Sequence, residues 1–141
     1  MNVFGLLKVS GSALGAQRYR AEIAAANMAN AESTRTPEGG PYRRKEVVLA
    51  GGSGLSFRTQ LASASEQSVR IADVREETAP PLLRYEPGHP DADENGYVAY
   101  PNINPVTEMA DLLSAVRSYQ LNIAAVNAAK QMAQQSLEIL K

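Results

Sequence analysis

The chain of 141 residues contains no cysteine and no tryptophan, and only 6% of its residues are aromatic. The lack of cysteine excludes disulfides, thiolate metal sites and cysteine nucleophiles. The formal net charge of −1 provides no positive field that would attract nucleic acid or an acidic membrane surface. No apolar run approaches the roughly 20 residues of a membrane span. The N-terminus also lacks a basic segment before an apolar stretch, so we expect no cleaved secretory signal.

Catalytic and metal-binding motifs are scarce as well. The single histidine, His89, lies in a Pro-Gly-His-Pro segment, whereas a histidine metal site or a serine nucleophile requires further partners. Residues 91–96 match the opening of a calcium loop, but its twelfth position holds Asn102 where a bidentate Glu is required. We interpret this segment as an acidic turn and keep a calcium-binding module as an alternative. We expect no cofactor, no metal and no enzymatic activity.

Proline divides the sequence into three parts. All eight prolines lie between Pro37 and Pro105, and residues 106–141 contain no glycine either. Because proline costs a helix interior about 3 kcal/mol and glycine about 1 kcal/mol, this distribution predicts helical ends around an irregular middle. The predicted fold is mainly α: two long terminal helices, within 1–36 and 105–141, pack in the manner of a coiled coil. A small β and loop insert, 37–104, separates them.

The C-terminal part has apolar residues at alternating steps of three and four, which is the a/d pattern of a heptad repeat. Asn104 followed by Pro105 predicts the start of this helix, and Glu108 suits the helix dipole. The pattern consists of Met109, Leu112, Val116, Tyr119, Ile123, Val126, Lys130, Ala133, Leu137 and Leu140, with Lys130 its only charged member.

The N-terminal part has the same spacing with smaller side chains. Small residues let another helix approach closely but bury little area, and glycines make this helix marginal in isolation. The pattern consists of Phe4, Leu7, Gly11, Leu14, Arg18, Ala21, Ala25 and Met28. From the two patterns we predict as subunit-contact residues Phe4, Leu7, Leu14, Met28, Met109, Leu112, Val116, Tyr119, Ile123, Val126, Leu137 and Leu140.

The same patterns allow a second interpretation, in which the two ends fold back on each other as an antiparallel hairpin within one chain. The protein would then be a cytoplasmic helical-hairpin adaptor whose acidic turn binds a partner. Two features favour surfaces shared between chains. The C-terminal pattern is longer than the N-terminal helix by roughly a turn or more, and small residues on several faces of that helix suit packing among many helices.

Short strands are predicted within the insert, at Tyr42–Leu49, Val69–Ala72, Leu82–Tyr85 and Tyr97–Tyr100, with a flexible loop over 50–68. The one basic cluster is Arg43-Arg44-Lys45, which Glu38 and Glu46 flank. We interpret it as a solvated face or a salt-bridging contact to a neighbouring subunit, rather than as a phosphate site.

Several segments resemble a known family. The stretch 25–37 resembles the N-terminal motif of bacterial flagellar rod and hook proteins, and 117–122 resembles their C-terminal motif. The stretches 35–45 (RTPEGGPYRRK) and 85–102 (YEPGHPDADENGYVAYPN) are similar to a narrower signature, that of proximal rod proteins of the C type. The matching residues are Asn27, Asn30, Arg35, Pro37, Gly39, Gly40, Pro41, Tyr42, Arg43, Arg44, Asn95, Gly96, Tyr97, Tyr119 and Asn122.

The resemblance implies a structural subunit of the flagellar proximal rod. Terminal helices of many subunits would form an inner tube that is both drive shaft and export channel, with the insert outside it. The implied partners are copies of itself, other rod subunits, the membrane-ring complex and the flagellar export apparatus. Neither nucleic acid nor a small-molecule substrate is implied. The implied location is the basal body, in the periplasm, reached by type III export without a cleaved signal peptide.

Overall fold

The computed structural model of the protein describes residues 3–51 and 68–139, with side chains from residue 5 to residue 138 of these ranges. It confirms the predicted fold class of two long terminal helices that flank a small insert of short strands. In chain order the elements are helix α1 (Val3–Ala29), strands β1 (Lys45–Gly51), β2 (Val69–Glu76), β3 (Leu82–Tyr85) and β4 (Tyr97–Tyr100), and helix α2 (Pro105–Ile139). Neither helix is long and apolar enough, within these ranges, to cross a membrane.

Helix α2 begins as the sequence predicts. The side chain of Asn104 accepts a hydrogen bond from the amide of Val106 at 3.0 Å, and its carbonyl accepts one from the amide of Glu108 at 3.1 Å. Pro105 occupies the first helical position, where its missing N–H costs no hydrogen bond. This cap fixes the position of Glu108 in the first turn of the helix.

The two helices lie side by side in antiparallel directions. Asn27 near the end of α1 contacts Glu108 at the start of α2, whereas Arg18 lies near Tyr119 further along α2. Among the described residues, the fully buried apolar side chains of both helices are alanines: Ala16, Ala24, Ala115 and Ala129. Such a seam permits close approach of the helices but buries little apolar area.

Strands β1 and β2 form an antiparallel hairpin that lies along α1. Its register changes between Val48, which pairs with Asp73, and Leu49, which pairs with Ile71, so β2 carries one extra residue as a bulge. The amide of Val69 donates to the hydroxyl of Ser12 at 2.9 Å, which attaches the strand to α1. Residues 50 and 51 of the predicted loop belong to β1, and residues 52–67 lie outside the described residues.

Strands β3 and β4 form a second antiparallel hairpin. One face is covered, with Val98 and Tyr100 buried and Ile103 buried just beyond it. The hydroxyl of Thr34 donates to Asp91 at 2.8 Å, which attaches the long connection of this hairpin to the segment after α1. The turn before β4 closes through the Asp93 carboxylate, which accepts the amides of Asn95 and Tyr97.

Gly96 is required in this turn, and Gly96→Ala should destabilise the protein by about 1–3 kcal/mol. Its φ is +81°, and an added Cβ would lie 2.9 Å from Cε2 of Tyr85 and 3.2 Å from Cβ of Pro87. Urea unfolding followed by circular dichroism measures the change. Gly88→Ala is the matched control, because a Cβ there meets no atom within 4 Å. Equal stability of the two variants would contradict the prediction.

Candidate assembly surface and polar junction

Three segments of the chain meet at Asn27, which is only 1% exposed. Its Nδ2 donates to the carbonyl of Lys45 and to Oε2 of Glu108, both at 2.8 Å. Its Oδ1 accepts from the hydroxyl of Tyr42 at 3.1 Å and from the amide of Lys45 at 3.0 Å. All four hydrogen-bonding positions of the amide are therefore satisfied. The side chain joins the end of α1, the start of β1 and the first turn of α2.

Glu108 and Arg44 form the charged part of this junction. Arg44 Nε donates to Oε1 of Glu108 at 2.6 Å, and the carboxylate is only 2% exposed. Burial by itself lowers the pKa of Arg44, but the hydrogen bond and the charge of Glu108 outweigh it, so the pKa is raised. Burial also raises the pKa of Tyr42, together with the charges of Glu76 and Glu108. The guanidinium thus stays charged and the phenol stays neutral. We call Asn27, Arg44 and Glu108 the polar junction.

A second set of charges surrounds the polar junction. Arg20 of α1 donates to Oδ1 of Asp111 on α2 at 2.9 Å. Arg44 also lies 3.8 Å from Asp111 and 3.8 Å from Glu77, which follows β2. These pairs are partly exposed, so each contributes little by itself. They show that both helices and the insert share one network of charges.

The interpretation of the basic cluster was wrong for Arg44. Its side chain is 22% exposed, and its guanidinium pairs with Glu108 of the same chain. Arg43 is exposed, and Lys45 lies near Glu76. Assigning Glu108 to the helix dipole was incomplete for the same reason. The two partners are 64 residues apart in sequence, and local patterns carry no signal for such a pair.

A closed turn brings Tyr42 and Arg44 back to the end of α1. The amide of Tyr42 donates to the carbonyl of Ser33 at 3.0 Å, and the amide of Thr36 donates to the carbonyl of Gly40 at 2.9 Å. Gly39 and Gly40 have φ values of +90° and +76°, which glycine adopts without strain. These φ values explain why the motif has glycine at positions 39 and 40.

The other motif residues have mostly local contacts. Asn30 donates to the carbonyl of Ala26 and accepts from the hydroxyl of Ser33, which ends α1. Asn122 donates to the carbonyl of Ser118. Arg35 lies 3.6 Å from Asp91. Pro37 is exposed, Pro41 is half-buried, and neither makes a side-chain hydrogen bond.

The acidic turn uses its carboxylates internally. Asp91 accepts from Thr34 and pairs with Arg35, whereas Asp93 accepts two amides of its own turn. His89 Nδ1 accepts the amide of Asp91 at 3.1 Å. Within residues 3–51 and 68–139, no group of three or more His, Asp or Glu side chains is arranged to hold a metal ion. These contacts favour the turn interpretation over the calcium loop.

The apolar face of α2 is wider than the part that α1 covers. The row toward α1 consists of Glu108, Ala115, Asn122 and Ala129. One residue further along, about 100° around the helix, lies a second row that is exposed. We call this second row, together with the exposed apolar residues beside it, the outer row of α2. Its apolar members are between 39% and 77% exposed. They are Val106, Met109, Leu113, Val116, Ile123 and Leu137.

The predicted subunit-contact residues divide between the two rows. Leu112, Tyr119 and Val126 are half-buried within the chain, whereas Met109, Val116, Ile123 and Leu137 are exposed. On α1, Leu7, Leu14 and Met28 are half-buried. The side chain of Phe4 and all of Leu140 lie outside the described residues. The chain by itself therefore closes part of the predicted seam and leaves the other part open.

An open groove of about 380 Å³ lies between α1 and the outer row of α2. Ala21 and Ala25 line it from α1, and Val116 and Tyr119 line it from α2. Gln17 also lines it, and its Oε1 is buried without a hydrogen-bond partner. A buried carbonyl oxygen left unsatisfied costs about 1–3 kcal/mol. The groove thus combines apolar surface with an unmet acceptor.

Comparisons with known proteins agree on one description. Residues 94–139 match the family model for the flagellar basal body rod FlgEFG protein C-terminal region. The chain is 37% identical to the flagellar basal-body rod protein FlgC of Borreliella burgdorferi, with 100% of the chain and 99% of the relative aligned. The FlgC protein of Escherichia coli O6:H1 is 43% identical (99% and 98% aligned), and that of Bacillus subtilis strain 168 is 42% identical (100% of both).

Proposed function

The chain belongs to the family of flagellar basal-body rod proteins FlgC, and we propose that it builds the proximal rod by packing its terminal helices against those of neighbouring subunits. It is a structural component of the flagellar basal body and assembles with other rod components. The proposal concerns the surface through which it does so: the outer row of α2 and the groove beside it.

The exposed outer row is the observation that carries the proposal. Its six apolar side chains are each at least 39% exposed and extend over most of the length of α2. Contiguous exposed apolar surface of this kind often marks a site of contact with another protein. Only Lys130 interrupts it with a charge. A neighbouring helix that covers the row removes this apolar surface from water.

The groove fits a helix as the neighbour. Its alanines Ala21, Ala25 and Ala115 allow close approach of a third helix. On the solvent side of α1, Gly11 and Gly15 have open space where a Cβ would be, although glycine costs a helix about 1 kcal/mol each. A neighbouring helix backbone packed close to α1 accounts for these glycines, which packing within the chain does not.

In the proposed assembly the helical parts, 1–36 and 105–141, form the inner tube, and the insert 37–104 lies outside it. The subunit contacts copies of itself, other rod subunits and the membrane-ring complex in the periplasm. It reaches this place through the flagellar export apparatus. This role needs no catalytic residue, cofactor, nucleic acid or small-molecule substrate. In the adaptor interpretation the two ends cover each other within one chain, and that arrangement leaves the outer row uncovered.

Mass spectrometry of purified basal bodies, stripped of filament and hook, tests the proposal. In the bacterium that encodes the chain, we expect to find the protein there at a fixed ratio to other rod components. A marker of the cytoplasm and a marker of the outer membrane serve as contamination controls. If intact basal bodies lack the protein while the cytoplasm contains it, the proposal is wrong, and the helical-hairpin adaptor becomes the better account.

A further inference from the structure

The alanine seam between α1 and α2 does not by itself determine how the helices align along their axes. The α2 row that faces α1 repeats every seven residues, at 108, 115, 122 and 129, and its apolar members are alanines. A slide of α2 by one heptad, about 10 Å, would put Ala115 at the place of Glu108 and Asn122 at the place of Ala115. Alanine contacts of this kind are nearly equal in energy for each alignment, because small side chains interdigitate little.

The polar junction removes this ambiguity. In the observed alignment, Glu108 meets both Asn27 and the guanidinium of Arg44. Arg44 itself is held in place, because the main chain of Lys45 makes two hydrogen bonds with Asn27. In an alignment shifted by one heptad, Asn27 would face Ala115, and Glu108 would lose both partners. An alignment that separates a buried carboxylate from its cation is strongly disfavoured.

We propose that Asn27, Arg44 and Glu108 are positioning residues that set the register of α2 against α1. A buried ion pair is often no more stabilising than apolar side chains of similar volume, so stability alone does not account for it. Selection of one register is the best-attested use of a buried polar group among helices. The register also determines which α2 residues lie beside Ala21 and Ala25, and hence the shape of the groove. This last consequence rests on the proposed function.

Crosslinking within a single chain measures the register directly. The sequence has no cysteine, so engineered cysteines react without a background. Ala21→Cys is combined in turn with Met109→Cys, Val116→Cys or Ile123→Cys, which occupy one row of α2 at heptad spacing. The full-length chain is treated in dilute solution with a short bis-maleimide linker. Only product that migrates as a monomer is counted, which excludes links between chains.

With the native junction we expect the 21–116 product to exceed each of the other two by at least about tenfold, which corresponds to about 1.4 kcal/mol of preference. Glu108→Leu keeps the volume and removes the carboxylate. It should retain the helical circular dichroism signal and bring the three yields within about threefold of one another. Glu108→Gln keeps one acceptor oxygen where the carboxylate has two, so its preference should lie between that of the native chain and that of Glu108→Leu. Glu138→Gln, which neutralises an exposed carboxylate near the other end of α2, is the control and should leave the preference unchanged.

Two results would overturn the proposal. One is a 21–116 preference that survives in Glu108→Leu. The other is loss of helix in that variant, because Glu108 would then be required to form the helices rather than to align them. The measurement uses a single chain in solution, so it stays informative if the protein proves absent from basal bodies. Incorporation of Glu108→Leu into basal bodies tests the consequence for assembly separately.

Discussion

Arg44→Ala should lower the free energy of unfolding by about 3–5 kcal/mol, because it leaves a buried carboxylate without its cation. Glu108 is 2% exposed, and the Nε of Arg44 lies 2.6 Å from Oε1 of Glu108. Asn27 would remain as the only described hydrogen-bond donor to this carboxylate, and an amide supplies no charge. Urea unfolding followed by circular dichroism, with the linear slope compared between variants, measures the loss.

Arg43→Ala is the control for this prediction. Arg43 precedes Arg44 directly and has the same charge, but its side chain is exposed. Substitution of an exposed side chain away from structural features changes stability by no more than about 0.5 kcal/mol. If the two alanine variants unfold at the same urea concentration, Glu108 does not depend on Arg44, and our description of the junction is wrong.

Ile123→Asp should abolish assembly of the rod while leaving the isolated chain folded. Ile123 lies in the middle of the outer row of α2 and is 39% exposed, so the single chain accommodates a carboxylate there. In the proposed assembly a neighbouring helix covers this position, and the charge would be buried without a partner. Swimming in soft agar and recovery of basal bodies measure the effect. The expected result is a non-motile strain that lacks complete basal bodies.

Gln131→Asp is the matched control, because residue 131 is exposed on α2 and lies outside the outer row. It should leave motility unchanged. Circular dichroism of both purified variants verifies that the helices still form. Normal motility of the Ile123→Asp strain would contradict the proposed assembly surface.

The helices were predictable because their signals are local. The confinement of proline to residues 37–105, the cap at Asn104 and the repeat of three and four residues each act within a few turns of chain. Strands β3 and β4 were predicted with the bounds that the structure has, since alternating side chains and the Asn95-Gly96 pair mark them. Strand β2 was too short in the prediction, because the charged residues Asp73, Arg75 and Glu76 resemble loop.

The polar junction was not predictable from the sequence. Asn27 and Tyr42 were singled out only through a resemblance. Arg44 was assigned to a solvated or intersubunit basic cluster, and Glu108 was assigned a local role. They meet because the turn over 33–42 returns the chain to the end of α1 and because α2 runs antiparallel to α1. Both conditions are tertiary. In the sequence alone, Glu108 is one more charged residue in the first turn of a helix, and nothing marks it as buried.

The sequence also did not show which part of the apolar face of α2 is buried within the chain. The sequence shows one broad apolar face centred on Met109, Leu112, Val116 and Tyr119. The chain covers only its edge, along the row of Glu108 and Ala115, because small alanines allow α1 to lie there. The apolar repeat marks every residue that is buried in the assembled state, whether residues of the same chain or of another chain bury it. It cannot separate the two contributions.

A helix pair closed by alanines responds weakly to temperature. The heat-capacity change of unfolding grows with the apolar surface that becomes exposed, and the buried apolar residues of α1 and α2 are Ala16, Ala24, Ala115 and Ala129. The contribution of this helix pair to the stability curve therefore has little curvature. Most of the temperature dependence of the free energy then lies in the contacts that the subunit makes with its neighbours. Temperature then acts on the cohesion of the rod more than on the shape of each subunit.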